Sequence, residues 1–365
     1  MSFTAFDHQC MARALQLARH GLKTTHPNPR VGCIISHNGQ IVGSGWHEKA
    51  GEAHAEINAL RTAGDKAEGG TAYVTLEPCS HSGRTPPCVE ALIKAKVARV
   101  VCAIRDPNPE VNGGGFQRLQ QAGIEVQSGL LVRQAEELNS GFLKRMRHAR
   151  PWVRIKLAQS MDGHVALDNG DSQWISGPES RADVQNWRAR SDVILTGIGT
   201  ILADDPSLNV RNSENARQPA RVIVDSQWRT PATARILSIP GEVIIAGLDE
   251  IEVPEDLKAT AADCAGIPSS NGQVDLDAML GELASRGFNE VQVEAGATLC
   301  GALMQRGLVD ELLIYQAPII LGGGAVSPFA QPRLDNMDDR VHLEWMDSRR
   351  IGKDLRLRLK PVNRD

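Results

Sequence analysis

From residue 4 to about residue 20 the apolar positions repeat every three or four residues, which predicts an amphipathic helix. Thr4 with Asp7 has the spacing of a capping box at its start, and Gly21 is a stop. His26-Pro27-Asn28-Pro29 cannot continue a helix, because the residue before each proline is pushed into extended conformations. Two β-rich runs follow, 31–36 and 41–45, separated by His37-Asn38-Gly39-Gln40; Asn-Gly between apolar runs predicts a hairpin. The pattern then alternates. Helices are predicted over 53–63, 88–96, 116–122 and 132–146, and strands over 71–76, 98–104 and 124–127. Such alternation implies a layered α/β unit.

Lys144-Arg145-Met146-Arg147-His148-Ala149-Arg150-Pro151 is a basic, proline-terminated joint with a change of composition behind it. It divides the chain into domains 1–150 and 151–365. Beyond it, strands are predicted over 152–158, 193–196, 221–225, 243–246, 290–293, 311–316, 341–345 and 355–359, and helices over 178–189, 276–285 and 297–306. The polar stretch 249–271, with scattered prolines, reads as surface loop. A second α/β sheet is expected.

Composition narrows the classes. At 365 residues the chain is long for one core, which favours two domains. Seven cysteines, an odd number in a long chain, do not form a disulfide framework; a reducing cytoplasm suits them. No apolar run reaches membrane-spanning length, and the first residues carry no basic-then-apolar signal. The net charge of -4 argues against broad nucleic-acid binding and leaves room for a local phosphate site.

The chemistry concentrates in His54-Ala55-Glu56, Glu77-Pro78-Cys79 and Cys88. One imidazole and two thiols can hold zinc at three tetrahedral corners and leave the fourth for water, as in a catalytic rather than a closed structural site. Glu56, two residues from His54, is placed to shuttle protons, as in zinc deaminases with an H-x-E then P-C-x-x-C pattern. Here the second cysteine comes late, with eight residues between Cys79 and Cys88. The alternative is a closed structural zinc. Cys10, Cys33, Cys102, Cys264 and Cys300 are expected to be buried packing. Gly113-Gly114-Gly115 looks like a phosphate cradle but lacks the G-x-G-x-x-G spacing and reads as a loop before a helix. In the second domain, Gly197-Ile198-Gly199-Thr200 and Glu294-Ala295-Gly296-Ala297-Thr298 each follow a strand; two such turns suit a dinucleotide without naming it.

Asn28-Pro29-Arg30-Val31-Gly32-Cys33, His54-Ala55-Glu56 and the run from Thr75-Leu76-Glu77-Pro78-Cys79 through Thr85-Pro86-Pro87-Cys88 resemble the deaminase half of the bifunctional riboflavin-biosynthesis deaminase/reductase family. The long insert between the cysteines separates that family from cytidine and tRNA-adenosine deaminases. The resemblance implies a three-layer, cytidine-deaminase-like fold with zinc on His54, Cys79 and Cys88, and makes Asn28, His47, His81 and Arg84 contacts to the pyrimidine or its ribose phosphate. One departure is Ala53, where family members often have proline. Lys156 to Gly163, Trp174-Ile175-Ser176-Gly177, Gly197 to Pro206, Asn209-Val210-Arg211 and Val293-Glu294-Ala295-Gly296 resemble the reductase half, which is similar to dihydrofolate reductase in fold and uses NADPH. By that resemblance Ala158, Trp174, Thr200, Asp204, Ser226, Gly296, Ala297, Thr298, Leu299, Cys300, Gly301 and Ala302 line the cofactor. Ser172, Arg188, Leu208, Arg211 and Glu294 hold the substrate, with Arg188 and Arg211 as phosphate clamps.

The expected reactions are deamination of a pyrimidine bearing a ribosylamino phosphate, then NADPH-dependent reduction of its ribosyl group. The expected partners are these small molecules, with no nucleic acid and no membrane. Lys156, Glu294 and Asp204 are polar candidates for a general acid in the reductase half. Two other classes stay open at this point: a nucleotide or tRNA deaminase fused to an unrelated reductase, and a non-enzymatic zinc module. The sequence also leaves a homo-oligomer open.

Overall fold

The computed structural model describes residues 2–80, 87–108, 111–211, 217–331 and 334–362. It divides into two compact units, Met1–Ala149 and Arg150–Asp365.

The first unit opens with helix α1 (Ala5–Ala18). The Thr4 hydroxyl accepts from the Asp7 N–H at 3.1 Å, and the Asp7 carboxylate accepts from the Thr4 N–H at 2.8 Å, which completes the expected capping box. Strands β1 (Gly32–His37) and β2 (Gln40–Trp46) form the expected hairpin, with Asn38 and Gly39 both at positive φ, 50° and 74°. Helix α2 (Ala55–Ala63), strand β3 (Thr71–Val74), helix α3 (Cys88–Lys94), strand β4 (Arg99–Cys102), helix α4 (Gly114–Gln121) and strand β5 (Glu125–Ser128) follow in the expected alternation. The sheet order is β2-β1-β3-β4-β5, antiparallel across β2-β1-β3 and parallel across β3-β4-β5.

The helix expected over 132–146 is two helices, α5 (Val132–Leu138) and α6 (Ser140–His148). The break is at Asn139, whose side chain both accepts from the Arg30 N–H (2.8 Å) and donates to the Arg30 carbonyl (2.9 Å). α1, α5 and α6 bury Met11, Leu15, Leu138 and Phe142 against Ile34 and Tyr73 on one sheet face. α2 packs Ala55 and Ala59 against Cys33, Ile35 and Val74 on the other, and α3 and α4 bury Leu92 and Leu119 there with Ala72 and Val100. The result is a three-layer α/β/α unit.

The second unit is built on a nine-stranded sheet. Its elements are β6 (Trp152–Gln159), α7 (Pro178–Arg190), β7 (Val193–Gly197), α8 (Ile198–Asp204), β8 (Ala220–Val224), the short α9 (Arg235–Ser238), β9 (Val243–Leu248), the short α10 (Glu255–Lys258) and β10 (Asp263–Ile267). Then come β11 (Ser269–Ser270), β12 (Gln273–Val274), α11 (Leu276–Ser285), β13 (Glu290–Val293), α12 (Ala297–Gln305), β14 (Glu311–Gln316), β15 (Leu343–Ile351) and β16 (Asp354–Pro361). The order is β10-β9-β8-β7-β13-β6-β14-β16-β15, parallel from β10 to β14, with β16 and β15 added antiparallel at one edge.

Two expectations need correction. The stretch 249–271 is not merely loop: it holds α10 and a strand, β10, that extends the sheet parallel to β9. Residues after Gly197 form a helix, α8, that is not among the helices expected over numbered ranges. One sheet face is covered by Met279, Leu280, Leu283, Cys300 and Leu303 of α11 and α12. The other is covered by Ile201 of α8 together with Leu208, Trp228, Ile236 and Leu257. Among the described residues no helix is long and apolar enough to cross a membrane.

Candidate active sites

In the first unit the ligand set is assembled from three points of the chain. His54 is the N-cap residue of α2, Cys79 follows β3, and Cys88 opens α3. His54 Nδ1 is 3.1 Å from Cys88 Sγ and 3.6 Å from Cys79 Sγ, and the three donor atoms all lie within 4.8 Å of one another. Tetrahedral bonds of about 2.0 Å to nitrogen and about 2.3 Å to sulfur put such donors about 3.5 Å apart, so the set fits zinc. The Cys88 N–H at the start of α3 also donates to Cys79 Sγ at 3.3 Å. The side-chain hydrogen bond from Cys88 outweighs burial and, with the one from His54, holds the Cys79 thiol well below its ordinary value. Cys88 is pushed the other way, first by its bond to Cys79 and then by burial. Two sulfurs that cannot both carry charge unaided are what a divalent cation neutralises.

Glu56, in the first turn of α2, is 3% exposed. Burial, and then the charge of Cys79, raise its carboxyl to about 7. A carboxyl poised there can accept and return a proton near neutral pH. His47 sits just past β2. The Asn28 amide donates to its Nε2 at 3.0 Å, and its Nδ1 donates to the Ala53 carbonyl at 3.2 Å. Burial lowers the His47 pKa, which favours the neutral ring these two bonds suit. Its ring stands edge-on to His54 with centroids 5.4 Å apart. Asn28, His47, His54, Glu56 and Cys79 all border one cavity of about 470 Å³. His81 and Arg84 lie outside the described residues. Sequence reasoning gave Glu77 no role and missed Asp106, Asn108 and Arg145, all on the same wall. Arg145 is the one Lys or Arg there among the described residues.

The second unit has a larger cavity, about 1040 Å³. β7 and β13 are parallel neighbours, so the turns at their C-terminal ends emerge side by side. Gly197 and Gly296 are the N-cap residues of α8 and α12. Paired helix starts of this kind present backbone N–H groups to a dinucleotide pyrophosphate. Of the expected cofactor contacts, Thr200, Asp204, Ser226, Gly296, Thr298, Leu299 and Ala302 border the cavity, as does Ser172 from the substrate set. Ala158, Trp174, Ala297, Cys300 and Gly301 do not border it. Cys300 is fully buried in the core, and a side-chain carbon on Gly301 would lie 2.5 Å from the Ala330 carbonyl. Trp174 is 68% exposed and stacks under the Arg181 guanidinium at 4.6 Å.

Arg188 and Glu294 face each other as a bidentate pair, Nε to Oε1 at 2.7 Å and Nη2 to Oε2 at 2.9 Å, with Lys156 Nζ 4.0 Å from Oε2. Arg188 Nη1 also donates to the Asn209 carbonyl at 3.0 Å. Leu208 is buried at φ 46°, and Arg211 is exposed, its N–H donating to the Gln185 side chain at 2.9 Å. None of Arg188, Leu208, Arg211 and Glu294 borders the large cavity. Sequence reasoning missed Arg229, Gln273 and Arg306, which do. No local motif marks these three; they are brought together by β8, β12 and α12.

By class the two halves are a zinc-binding deaminase and a reductase of the kind that takes a nicotinamide cofactor. Residues 4–104 match the family model of the cytidine and deoxycytidylate deaminase zinc-binding region, and residues 151–357 match the RibD C-terminal domain. The chain belongs to the RibD family of bifunctional riboflavin-biosynthesis deaminase/reductases. The riboflavin biosynthesis protein RibD of Escherichia coli K12 is 50% identical over 97% of this chain and 99% of its own length. The structure of Acinetobacter baumannii RibD is 44% identical with a TM-score of 0.91, covering 98% of this chain and 99% of that one. A Thermotoga maritima structure, described as a diaminohydroxyphosphoribosylaminopyrimidine deaminase/5-amino-6-(5-phosphoribosylamino)uracil reductase, is 30% identical with a TM-score of 0.86 over 98% of this chain and 99% of that one.

Proposed function

We propose that this bifunctional enzyme first hydrolyses the amino group of 2,5-diamino-6-(5-phosphoribosylamino)pyrimidin-4-one, and then reduces the ribosyl group of the resulting aminouracil to ribityl with NADPH. The carrying observation is the buried Glu56 carboxyl beside the converging atoms of His54, Cys79 and Cys88. When bound there, zinc supplies the Lewis acidity that makes water a nucleophile at neutral pH. The chain's own groups do the rest. Glu56 takes one proton of the attacking water and passes it to the ring nitrogen. It then takes the proton of the newly added hydroxyl and delivers it to the amino group, which leaves as ammonia as the C–N bond breaks and the carbonyl forms. Asn28 and His47 orient the pyrimidine, their mutual bond holding both side chains to the cavity wall.

In the second unit, NADPH when bound would supply the hydride that reduces C1′ of the opened ribose. The turns at Gly197 and Gly296, at the starts of α8 and α12, would hold its pyrophosphate. NADPH rather than NADH is supported by Arg229 and Arg306, the two guanidiniums on that cavity, where Asp204 is the sole carboxylate among the described lining residues. Asp225, at the end of β8, is turned inward: it accepts from the Thr230 N–H at 2.7 Å and hydroxyl at 2.8 Å, and is fully buried. Its other oxygen lies 3.9 Å from Arg229 Nε. Glu294, steadied by Arg188, faces Lys156, and Arg211 is left for the substrate phosphate. Seven free cysteines support a cytoplasmic setting. The outer strand β15, with Leu343 and Trp345 exposed, supports a homo-oligomer, which light scattering would reveal as a multiple of the chain mass.

The test is Glu56→Gln in the full chain. We expect zinc retained, ammonia release lost, and reduction of supplied aminouracil unchanged. Near wild-type deamination would refute the proton-shuttle role. NADPH should be consumed only with the deaminated pyrimidine, and equal turnover with NADH would refute the cofactor assignment.

A further inference from the structure

Three buried carboxylates border the deaminase cavity, Glu56, Glu77 and Asp106, and the first two, each 3% exposed, lie two residues from a metal ligand in the sequence. Glu77 is bound quite differently. Its Oε1 accepts the backbone N–H groups of Gly115 (3.0 Å) and Phe116 (3.2 Å). Its Oε2 accepts those of Gly113 (3.1 Å) and Asp106 (3.3 Å). All four donors belong to the segment that leads into α4 and includes its first turn. The triple glycine is thus a cradle for a carboxylate of the protein itself, not for a phosphate. Closeness explains the glycine at 115: a side-chain carbon there would lie 2.1 Å from the Pro78 carbonyl oxygen.

The strapped segment carries Asp106, Asn108 and Val111 to the cavity wall. Order passes along it, since the Asp106 carboxylate accepts the Asn108 N–H at 2.8 Å. Each carboxylate oxygen of Glu77 accepts two backbone N–H groups, so the side chain is committed to holding this strap. We propose that Glu77 is a positioning residue. It clamps residues 106–108 and 111–116 beside Pro78, and thereby shapes the cavity that receives the pyrimidine, while proton transfer stays with Glu56. The inference rests on the deaminase reading of this cavity.

The experiment uses the full chain as Glu77→Gln and, separately, Gly115→Ala. Four quantities are read: zinc per chain, ammonia release against substrate concentration, hydrogen exchange of the 106–116 amides, and reductase turnover on supplied aminouracil as a fold control. The amide group introduced by Glu77→Gln would oppose N–H donors with its own, so both changes loosen the same strap. We expect the deaminase KM to rise about tenfold or more with kcat within about threefold. Zinc should stay bound, exchange over 106–116 should quicken, and reduction should be unchanged. A fall in kcat at constant KM, as for Glu56→Gln, would overturn the proposal, as would loss of zinc or unchanged exchange. If Glu77→Gln does not fold, Gly115→Ala decides, because it leaves the carboxylate in place. A wild-type chain releasing no ammonia would refute the deaminase reading alone, and the exchange data would still decide for or against Glu77.

Discussion

Arg188→Met tests the electrostatics of the reductase unit most sharply. Burial pushes the Glu294 carboxyl up, but the charge and hydrogen bonds of Arg188, with help from Lys156 and Gln292, overcome it and bring the carboxyl down from 4.5 to about 2. Lys156 is itself lowered: burial outweighs its attraction to Glu294 across 4.0 Å. A carboxyl depressed on folding stabilises the native state above its unfolded pKa and loses that contribution as pH falls. The window here runs from about pH 4.5 down through about 2, and a shift of that size is worth on the order of 3 kcal/mol. Methionine keeps the length of the side chain and removes the charge. It leaves Glu294 buried with Lys156 and the Gln292 amide, and breaking a buried pair in this way costs about 3–5 kcal/mol. Burial then dominates, so the Glu294 pKa rises and the sign of its pH dependence reverses. The assay is urea unfolding followed by tryptophan fluorescence, because Trp152, Trp174, Trp187, Trp228 and Trp345 are in this unit and only Trp46 is in the other. At pH 7 the midpoint should fall by about 1–2 M. Between pH 7 and 5 the variant should gain stability on acidification, whereas Glu294 of the wild type contributes no change there. A variant with the wild-type midpoint, or with the wild-type pH slope, would refute the reasoning.

Other expectations follow from the same contacts. Asp7, 2% exposed, accepts from Arg99 and from the Tyr73 hydroxyl, each at 2.8 Å, so Asp7→Ala should destabilise the first unit by about 3 kcal/mol, read as loss of deaminase activity on mild heating with reduction spared. Arg229→Ala combined with Arg306→Ala should weaken 2′,5′-ADP binding about tenfold or more in calorimetry and leave 5′-ADP binding nearly unchanged; equal losses would deny them a 2′-phosphate role. Asn139→Ala should cost about 1–3 kcal/mol by leaving the Arg30 N–H and carbonyl without their partner groups on that side chain, measurable as a lower deaminase melting temperature.

What could be read from the chain was what is decided locally. The capping box at Thr4 and Asp7, the Asn38-Gly39 turn and the helix start at His54 depend on residues a few positions apart, and each is present. The turns at Gly197 and Gly296 were legible as strand-to-helix junctions for the same reason. Features decided by distant partners were not legible. Asn139 breaks a helix because it pairs with Arg30, more than a hundred positions away. β10 exists because β9 offers it a parallel edge, although its own polar sequence resembles a loop. Glu77 meets its four donors only after the chain has passed through β4 and returned to Gly113. Arg188 and Glu294, paired once folded, were separately identifiable only by resemblance to a family, since either alone would pass for a surface charge.

The most direct test of the account is X-ray absorption at the zinc edge of the purified full-length enzyme. Two sulfur neighbours at about 2.3 Å, one imidazole nitrogen and one exchangeable oxygen are expected, with the oxygen still present in Glu56→Gln. A fourth protein ligand in place of that oxygen, or a shell without both Cys79 and Cys88, would contradict it.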